Sequence, residues 1–422
     1  MKSATNTTSD PATDTPWQRD ATVIGLVSAA HFISHFNQLL LAPLFPWLKE
    51  AFAVSYTELG FVMTVFFTVS CAVQALCGFW VDRYGPRPVL FAGLALLALA
   101  CLGYALSTSY AALLACAVVA GVGNGVFHPV DYTLINRKVS AARLGHAYSA
   151  HGICGSLGWA LAPVGMVTLA QTLSWRWALG AGAALSLLVL LVLLVLWQAR
   201  ERIALAPTPA PASVTAAQAA QPASGSLDFL RIPVVWVCFV FFFFYASSLS
   251  VVQSFATEAA RQLHAVPELW MGWCLTIYML CSAAGVVAGG FLARDPARCE
   301  KVVATGFGAA ACGALVLGFG DLAAPAVPLL FGLMGMAAGL AGPSRDLLVK
   351  KSTPQHASGR VYGVVYSGLD IGQALTPLAF GVLMDKHHYQ GVWLGLVLVQ
   401  ALLVFSAFRV TRTRRSLVGV KL

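Results

Sequence analysis

The chain has 422 residues, 58% of them hydrophobic and only 10% charged, with a mean hydropathy of +0.76. No water-soluble domain could bury that much apolar surface, so the composition specifies a polytopic membrane protein. The net charge of +9 does not mark a nucleic-acid partner, because its placement follows membrane topology.

Residues 1–20, MKSATNTTSDPATDTPWQRD, are polar and lack the apolar stretch and cleavage site of a signal peptide, so they read as a cytoplasmic tail. Twelve apolar segments then follow that are long enough to cross a bilayer: 21–48, 58–80, 88–108, 110–136, 145–170, 175–198, 231–258, 268–293, 301–320, 326–349, 361–384 and 391–409. Between the sixth and seventh, residues 199–230 include APTPAPASVTAAQAAQPASGS, the composition of a flexible cytoplasmic linker. The linker divides the chain into an N-terminal six-helix bundle, 21–198, and a C-terminal one, 231–409, with a basic tail at 410–422. With both termini inside, 21 of the 26 Lys and Arg residues face the cytoplasm; Lys49, Arg176, Arg261 and Lys386 face out, and Arg345 is embedded. This is the positive-inside distribution. The ten cysteines form no CxxC pair and no Cys/His cluster, so they read as small core hydrophobes.

The two halves repeat each other. At an offset of 214, Gly145 meets Gly359, Tyr148 meets Tyr362, Gly158 meets Gly372 and Pro163 meets Pro377. HPVD, ending at Asp131, matches PSRD, ending at Asp346, with one residue of slippage, and GFWVDR from Gly78 matches GFLARD from Gly290. Three matched blocks in one order indicate internal duplication, a construction principle of secondary transporters.

The stretch GFWVDRYGPRP resembles the loop signature of the major facilitator superfamily, with Gly78, Asp82, Arg83, Gly85 and Arg87 on pattern. That resemblance covers essentially the whole chain. It implies an all-α integral membrane fold of twelve transmembrane helices in two pseudo-symmetric bundles, with this loop as a cytoplasmic latch. Local chemistry agrees: Gly78 is expected to allow close helix approach, Asp82 to sit near the positive end of the next helix, and the arginines to dock the loop on helix ends. More narrowly, HFISHFNQLLLAPLFPWLK, GVFHP and HGICGSLGWALAP together resemble the fosmidomycin-resistance type of efflux carrier. That group tends to have an acid directly after His-Pro, whereas here Val130 intervenes before Asp131.

Ionisable groups inside spans are costly and mark functional candidates. His31 and His35 share one helix face with Asn37 and Gln38 nearby, about 14–20 Å from the inner end of span one. Asp370 lies at a similar depth, about 13–14 Å in span eleven, and is a candidate coupling acid. His151 is roughly 9 Å deep in span five, and His128 about 12 Å in span four. Asp131, Arg345 and Asp346 count only about 5–7 Å from the inner ends of spans four and ten, and together with His128 they suggest an inner gate pairing the two halves. Histidines titrate near neutrality and suit proton carriage, and a forked guanidinium suits an anion. For each, the plainer alternative is a satisfied group in a helix interface. The glycines of span five, Gly152, Gly155 and Gly158, read first as close helix packing. On span seven, Tyr245, Ser247, Ser248 and Gln253 are the polar residues able to face a cavity.

The chain carries no GxxxxGK[ST] loop, no HExxH and no nucleophile elbow, so neither an enzyme nor a cofactor or metal site is indicated. The expectation is a monomeric carrier in a bacterial-type inner membrane. It would export a small, anionic organic compound by proton antiport, with proton-linked uptake of an organic acid second and a non-transporting sensor or assembly subunit third.

Overall fold

The computed structural model describes residues 16–140, 143–204, 233–292, 298–352 and 358–419. Their helices are α1 (Trp17–Phe52), α2 (Tyr56–Tyr84), α3 (Pro86–Leu106), α4 (Tyr110–Lys138), α5 (Leu144–Thr172), α6 (Trp175–Ala204), α7 (Pro233–His264), α8 (Glu268–Leu292), α9 (Cys299–Phe319), α10 (Ala326–Ser352), α11 (Ser358–Asp385) and α12 (Tyr389–Gly419). Eleven of these are long and apolar enough to cross a membrane by length and composition among the described residues, and α11 completes the set with 28 residues. Helices α6 and α12 run past the apolar segments that announced them. The apolar run stops at the bilayer edge, but Arg and Gln prolong a helix at little cost. Most of the 199–230 linker and the ends of both tails lie outside the described residues.

Three helices are interrupted. In α1 the α-helix ends at Gln38, and a short 3-10 turn, Ala42–Leu44, carries Pro43 near its start before the helix resumes at Phe45. Helix α4 breaks between Asn124 and Phe127, so FHPVDYTLINRK forms its own segment; Pro129 falls in its first turn, where no donor is lost. Helix α7 carries a π-helical turn at Val252–Ala256. The start of α2 is fixed by Ser55 and Glu58, each bonding the other's backbone N–H in a reciprocal cap.

The halves meet along α2 with α11 and α5 with α8. Their cores join on one side only. Toward the α1–α2 connection a single apolar cluster draws Leu44, Phe45 and Tyr56 from one half and Phe255, Val392 and Trp393 from the other. Toward the α2–α3 loop each half keeps its own cluster, one around Leu90, Phe127 and Leu134 and one around Phe241, Val303 and Leu403. The apolar core is therefore continuous between the halves on the α1–α2 side, which is sealed, and parted into two on the other.

The seal is tight because glycines and one carboxylate let the halves touch. A Cβ on Gly60 would strike the Pro377 carbonyl at 2.5 Å, and one on Gly381 would come within 2.7 Å of the Thr57 Cα. Asp385, the last residue of α11, accepts from the backbone N–H of Tyr56 at 2.7 Å, that of Thr57 at 2.9 Å and the Thr57 hydroxyl at 2.6 Å. One half thus caps the first turn of a helix belonging to the other.

The latch loop departs from expectation at one residue. A Cβ on Gly78 would meet nothing within 4 Å, so this glycine does not serve close helix approach. Gly85 is the position that requires glycine: its φ of +81° turns the chain from α2 directly into α3. Asp82 lies 4.0 Å from Arg137 of α4, and Arg87 covers the rings of Phe91 and Trp197 at 5.6 and 5.7 Å. Arg83 lies 5.3 Å over the neighbouring Tyr84 ring.

Candidate functional site

The N-terminal half gathers four histidines around one carboxylate. Asp131 of α4 is fully buried, and its Oδ2 lies 3.0 Å from Nε2 of His151 on α5. An ionised carboxylate only accepts, so His151 holds its proton at Nε2 when Asp131 is charged. His31 Nδ1 of α1 approaches the same oxygen at 3.1 Å without making a hydrogen bond. The His31 and His151 rings stack at 3.5 Å and 21°. His35 lies 4.3 Å from His31 on one side and stacks on Trp159 at 4.1 Å on the other. His128 stands 5.2 Å from His31. Asp131 Oδ1 and His35 Nδ1 are buried without a hydrogen-bond partner among the described residues.

This arrangement corrects the residue count that set Asp131 apart from His31. Counting depth assumes helices that start level and run straight, whereas α4 is broken just before His128 and α1 begins one turn earlier than the apolar run. Asp131 therefore belongs to the histidine cluster. Its contacts lie within its own half, not with Arg345 in a gate.

Glycine makes the cluster possible. A Cβ on Gly155 would come within 2.8 Å of His35 Nδ1 and 2.9 Å of His31 Nε2, and one on Gly158 would run into the Phe32 carbonyl. His151, Gly155 and Trp159 recur every four residues on one face of α5, so one stripe supplies a ligand, a gap and a wall. Gly155→Ala is expected to displace the imidazoles and impair transport with little change in melting temperature. Gly158→Ala is expected to push α1 from α5 and cost about 1–3 kcal/mol of stability. Thermal unfolding and flux on the two variants check this; full transport by Gly155→Ala would contradict it.

A polar network holds the surrounding helices in place. Trp159 donates to Gln38 at 3.1 Å, Gln38 to Asn124 at 3.2 Å, Ser34 to Asn124 at 2.9 Å and Asn124 to Ser70 at 2.8 Å. Gln38 thus borders the cluster, while Asn37 turns away to Ser186 of α6 at 3.1 Å and to Cys101 of α3. Toward the parted side, the half-exposed Tyr132 lies 5.5 Å from His151 and connects the cluster with the surface.

In the other half, the Arg345 guanidinium lies 4.0 Å over the Tyr245 ring and 5.9 Å over Phe242. The side chain of Asp346 lies outside the described residues. Asp370 sits on the seam, accepting from Gln74 of α2 at 3.4 Å. Asn124, Trp159, Tyr132, Tyr278 and Asp385 were not singled out in the sequence. Asn124 carried a signal, as the one amide closing the run AALLACAVVAGVGN.

The atoms of His31, Asp131 and His151 nearest one another lie within 4.8 Å, a spacing that would also suit a metal ion. The stacked rings argue otherwise. Near-parallel imidazoles face each other and do not splay about a common centre, which does not suit a coordination sphere.

The fold and the embedded polar cluster define a secondary transporter, and comparison with known proteins places it. A profile of the Major Facilitator Superfamily matches residues 27–260 and 246–420, and the chain belongs to this family of membrane transporters, not to an enzyme class. It is similar to the fosmidomycin resistance protein of Escherichia coli (strain K12), 30% identical over 150 residues, which is 34% of this chain and 35% of that protein. The probable sulfoacetate transporter SauU of Cupriavidus necator is 24% identical over 154 residues, 36% of each. The chain thus matches about a third of the length of these relatives. Among solved structures, an inward-facing, occupied bacterial homologue of the human lysosomal transporter Spinster aligns with a TM-score of 0.73 at 13% identity, covering 95% of this chain and 98% of that one. The nucleoside transporter NupG (D323A mutant) aligns at 0.72 and 15%, covering 92% and 99%. At these identities the likeness is one of fold.

Proposed function

We propose that the protein exports a small, anionic organic compound across a bacterial-type inner membrane in exchange for protons. It works as a monomer by alternating access between its two bundles, with both termini cytoplasmic. The observation that carries this reading is the buried Asp131 carboxylate, one oxygen of which meets the ring edges of two stacked imidazoles, His31 and His151. One further proton on His31 would set a cationic ring against the Asp131 carboxylate at 3.1 Å. Two cationic rings 3.5 Å apart would repel, so the site has capacity for one proton beyond its resting state. The basic residues gathered on the α2–α3 side support the orientation, and the relative named for fosmidomycin resistance supports export.

Asp370 serves the same cycle from the seam: its bond to Gln74 exists only while α2 and α11 are apposed at that level. The latch residues Asp82, Arg83, Gly85 and Arg87 hold the parted side at the turn between α2 and α3. Uptake of an organic acid together with protons would use the same residues and the same inward proton flow and reverse the direction of the organic compound.

Proteoliposomes with an internal pH dye decide. A pH gradient imposed across the membrane should drive accumulation of radiolabelled organic anions, and anion movement should carry protons the opposite way. Movement of both in one direction would establish uptake, and no proton movement with transported anion would refute coupling.

A further inference from the structure

The repeat that relates the halves also matches the two seams along which they meet. The α2 and α8 blocks lie 212 positions apart, as Gly78 and Gly290 do, and the α5 and α11 blocks 214 apart. By these offsets Gly60 and Thr64 of α2 correspond to Gly272 and Thr276 of α8, and Ala160 and Pro163 of α5 correspond to Ala374 and Pro377 of α11. The fold joins these matched residues crosswise between the halves. The Thr64 hydroxyl donates to the Ala374 carbonyl at 2.5 Å, and the Thr276 hydroxyl to the Ala160 carbonyl at 2.6 Å. Thr64 also lies 3.2 Å from the Gly60 carbonyl of its own helix, but a hydroxyl has one hydrogen and the shorter contact takes it.

At each tie the backbones come together with no side chain between them. Gly60 and Thr64, and likewise Gly272 and Thr276, are four residues apart and share a helix face. A Cβ on Gly60 would strike the Pro377 carbonyl, and one on Gly272 would come within 2.8 Å of the Pro163 carbonyl. Each proline lacks the N–H that would close the helix four residues back, so α5 and α11 are weakest in the turn that bears the tie. Thr64 and Thr276 both lie about 12 Å along their helices from the sealed end. The internal two-fold exchanges the seams, so the two ties stand at one depth on opposite edges of the interface.

We infer that these two ties are the bearings on which the halves turn, kept throughout the cycle while the Asp385 tie at the lip is made and broken. A line through both ties runs in the plane of the membrane, and rotation about it changes the angle at each tie but not its length. A single hydroxyl-to-carbonyl bond tolerates that change, since the hydroxyl turns about its own C–O bond and the carbonyl accepts over a broad range of directions. Contact between glycine and backbone tolerates it too, because no interlocked side chains have to be withdrawn. The Asp385 carboxylate is different. It holds two backbone donors and a hydroxyl at once, and at about 12 Å from the line it would be drawn off them by about 3 Å for each 15° of rotation.

This assignment rests on alternating access between the halves, and the test separates the two. Nitroxide labels enter the full chain in proteoliposomes as genetically encoded amino acids, which leaves the ten native cysteines in place. One pair replaces Phe61 and Leu375 and another Leu161 and Trp273, the exposed neighbours of the two ties; a third replaces Ala53 and His387 at the lip. Two variants force the lip. Asp385→Ala removes its tie, and Gly381→Trp puts a side chain where a Cβ alone comes within 2.7 Å of the Thr57 Cα. The lip distance should lengthen by about 3 Å or more in both, while the two seam distances stay as they were. Thr64→Val with Thr276→Val keeps the shape of both side chains and removes both hydroxyls, so the seam pairs should spread into a broad distribution; Thr64→Ser with Thr276→Ser should keep it narrow. Seams that lengthen in step with the lip, or that stay narrow in the valine pair, would overturn the bearings and leave alternating access standing. A lip that stays shut in both opening variants would refute the rotation itself, and alternating access with it.

Discussion

Asp131→Asn is expected to abolish proton-coupled transport while leaving the protein as stable as before, or more so. The amide has the shape of the carboxylate and can still accept from His151, so packing around this fully buried side chain is preserved. What disappears is the negative charge that makes a proton on His31 worth holding. Breaking a buried charge pair costs about 3–5 kcal/mol, on the order of 10²- to 10⁴-fold in the population of the protonated site. Coupled flux should fall by a comparable factor. Stability should not follow, because a buried carboxylate facing neutral imidazoles is itself costly and the amide removes that cost. Substrate binding should be largely intact, since the amide keeps the shape of the site and its contact with His151. Coupled flux, substrate exchange and thermal unfolding on one preparation separate these effects. A large drop in melting temperature, or normal coupled flux, would show that Asp131 is only a packing element.

Asp385→Ala should unseal the α1–α2 side. The carboxylate satisfies two backbone donors and one hydroxyl at the start of α2 from the opposite half, and this tie can exist only while that side is closed. A hydrogen bond to a charged group contributes about 1.5–3 kcal/mol, so losing even one net bond would shift the sealed state about 10- to 150-fold toward the open one. Spin labels at Ala53 and His387, on the two lips of this side, should report a longer distance in the variant by double electron–electron resonance. Asp385→Asn should behave like the alanine change but more weakly, as an amide oxygen still accepts. Unchanged distances in both variants would mean that the apolar seam around Phe45 and Phe255, whose rings lie 5.8 Å apart, holds the halves without this tie.

Much of the fold could be read from the chain because the membrane makes the rules local. A span must be apolar over its length, its backbone must bond within itself, and basic residues must stay at one face. The repeated glycines of α5 and α11 were legible as packing positions, and Gly158 and Gly372 do lie against the backbones of α1 and α7. Gly78 was misread because its motif position does not say which way it faces. Extending helices past the apolar runs, as α6 and α12 do, leaves no trace in hydropathy, since the helix outlasts the bilayer.

The sequence by itself determined twelve spans in two related halves, their expected orientation and the short roll of embedded ionisable groups, because each follows from composition, spacing or charge along the chain. Only the tertiary structure decided which of those groups meet. His31 and Asp131 are a hundred positions apart, and their contact depends on the break in α4, the early start of α1 and the missing side chain at Gly155. Helix rotation and tilt are set by packing against neighbours, and no local pattern in the sequence records them.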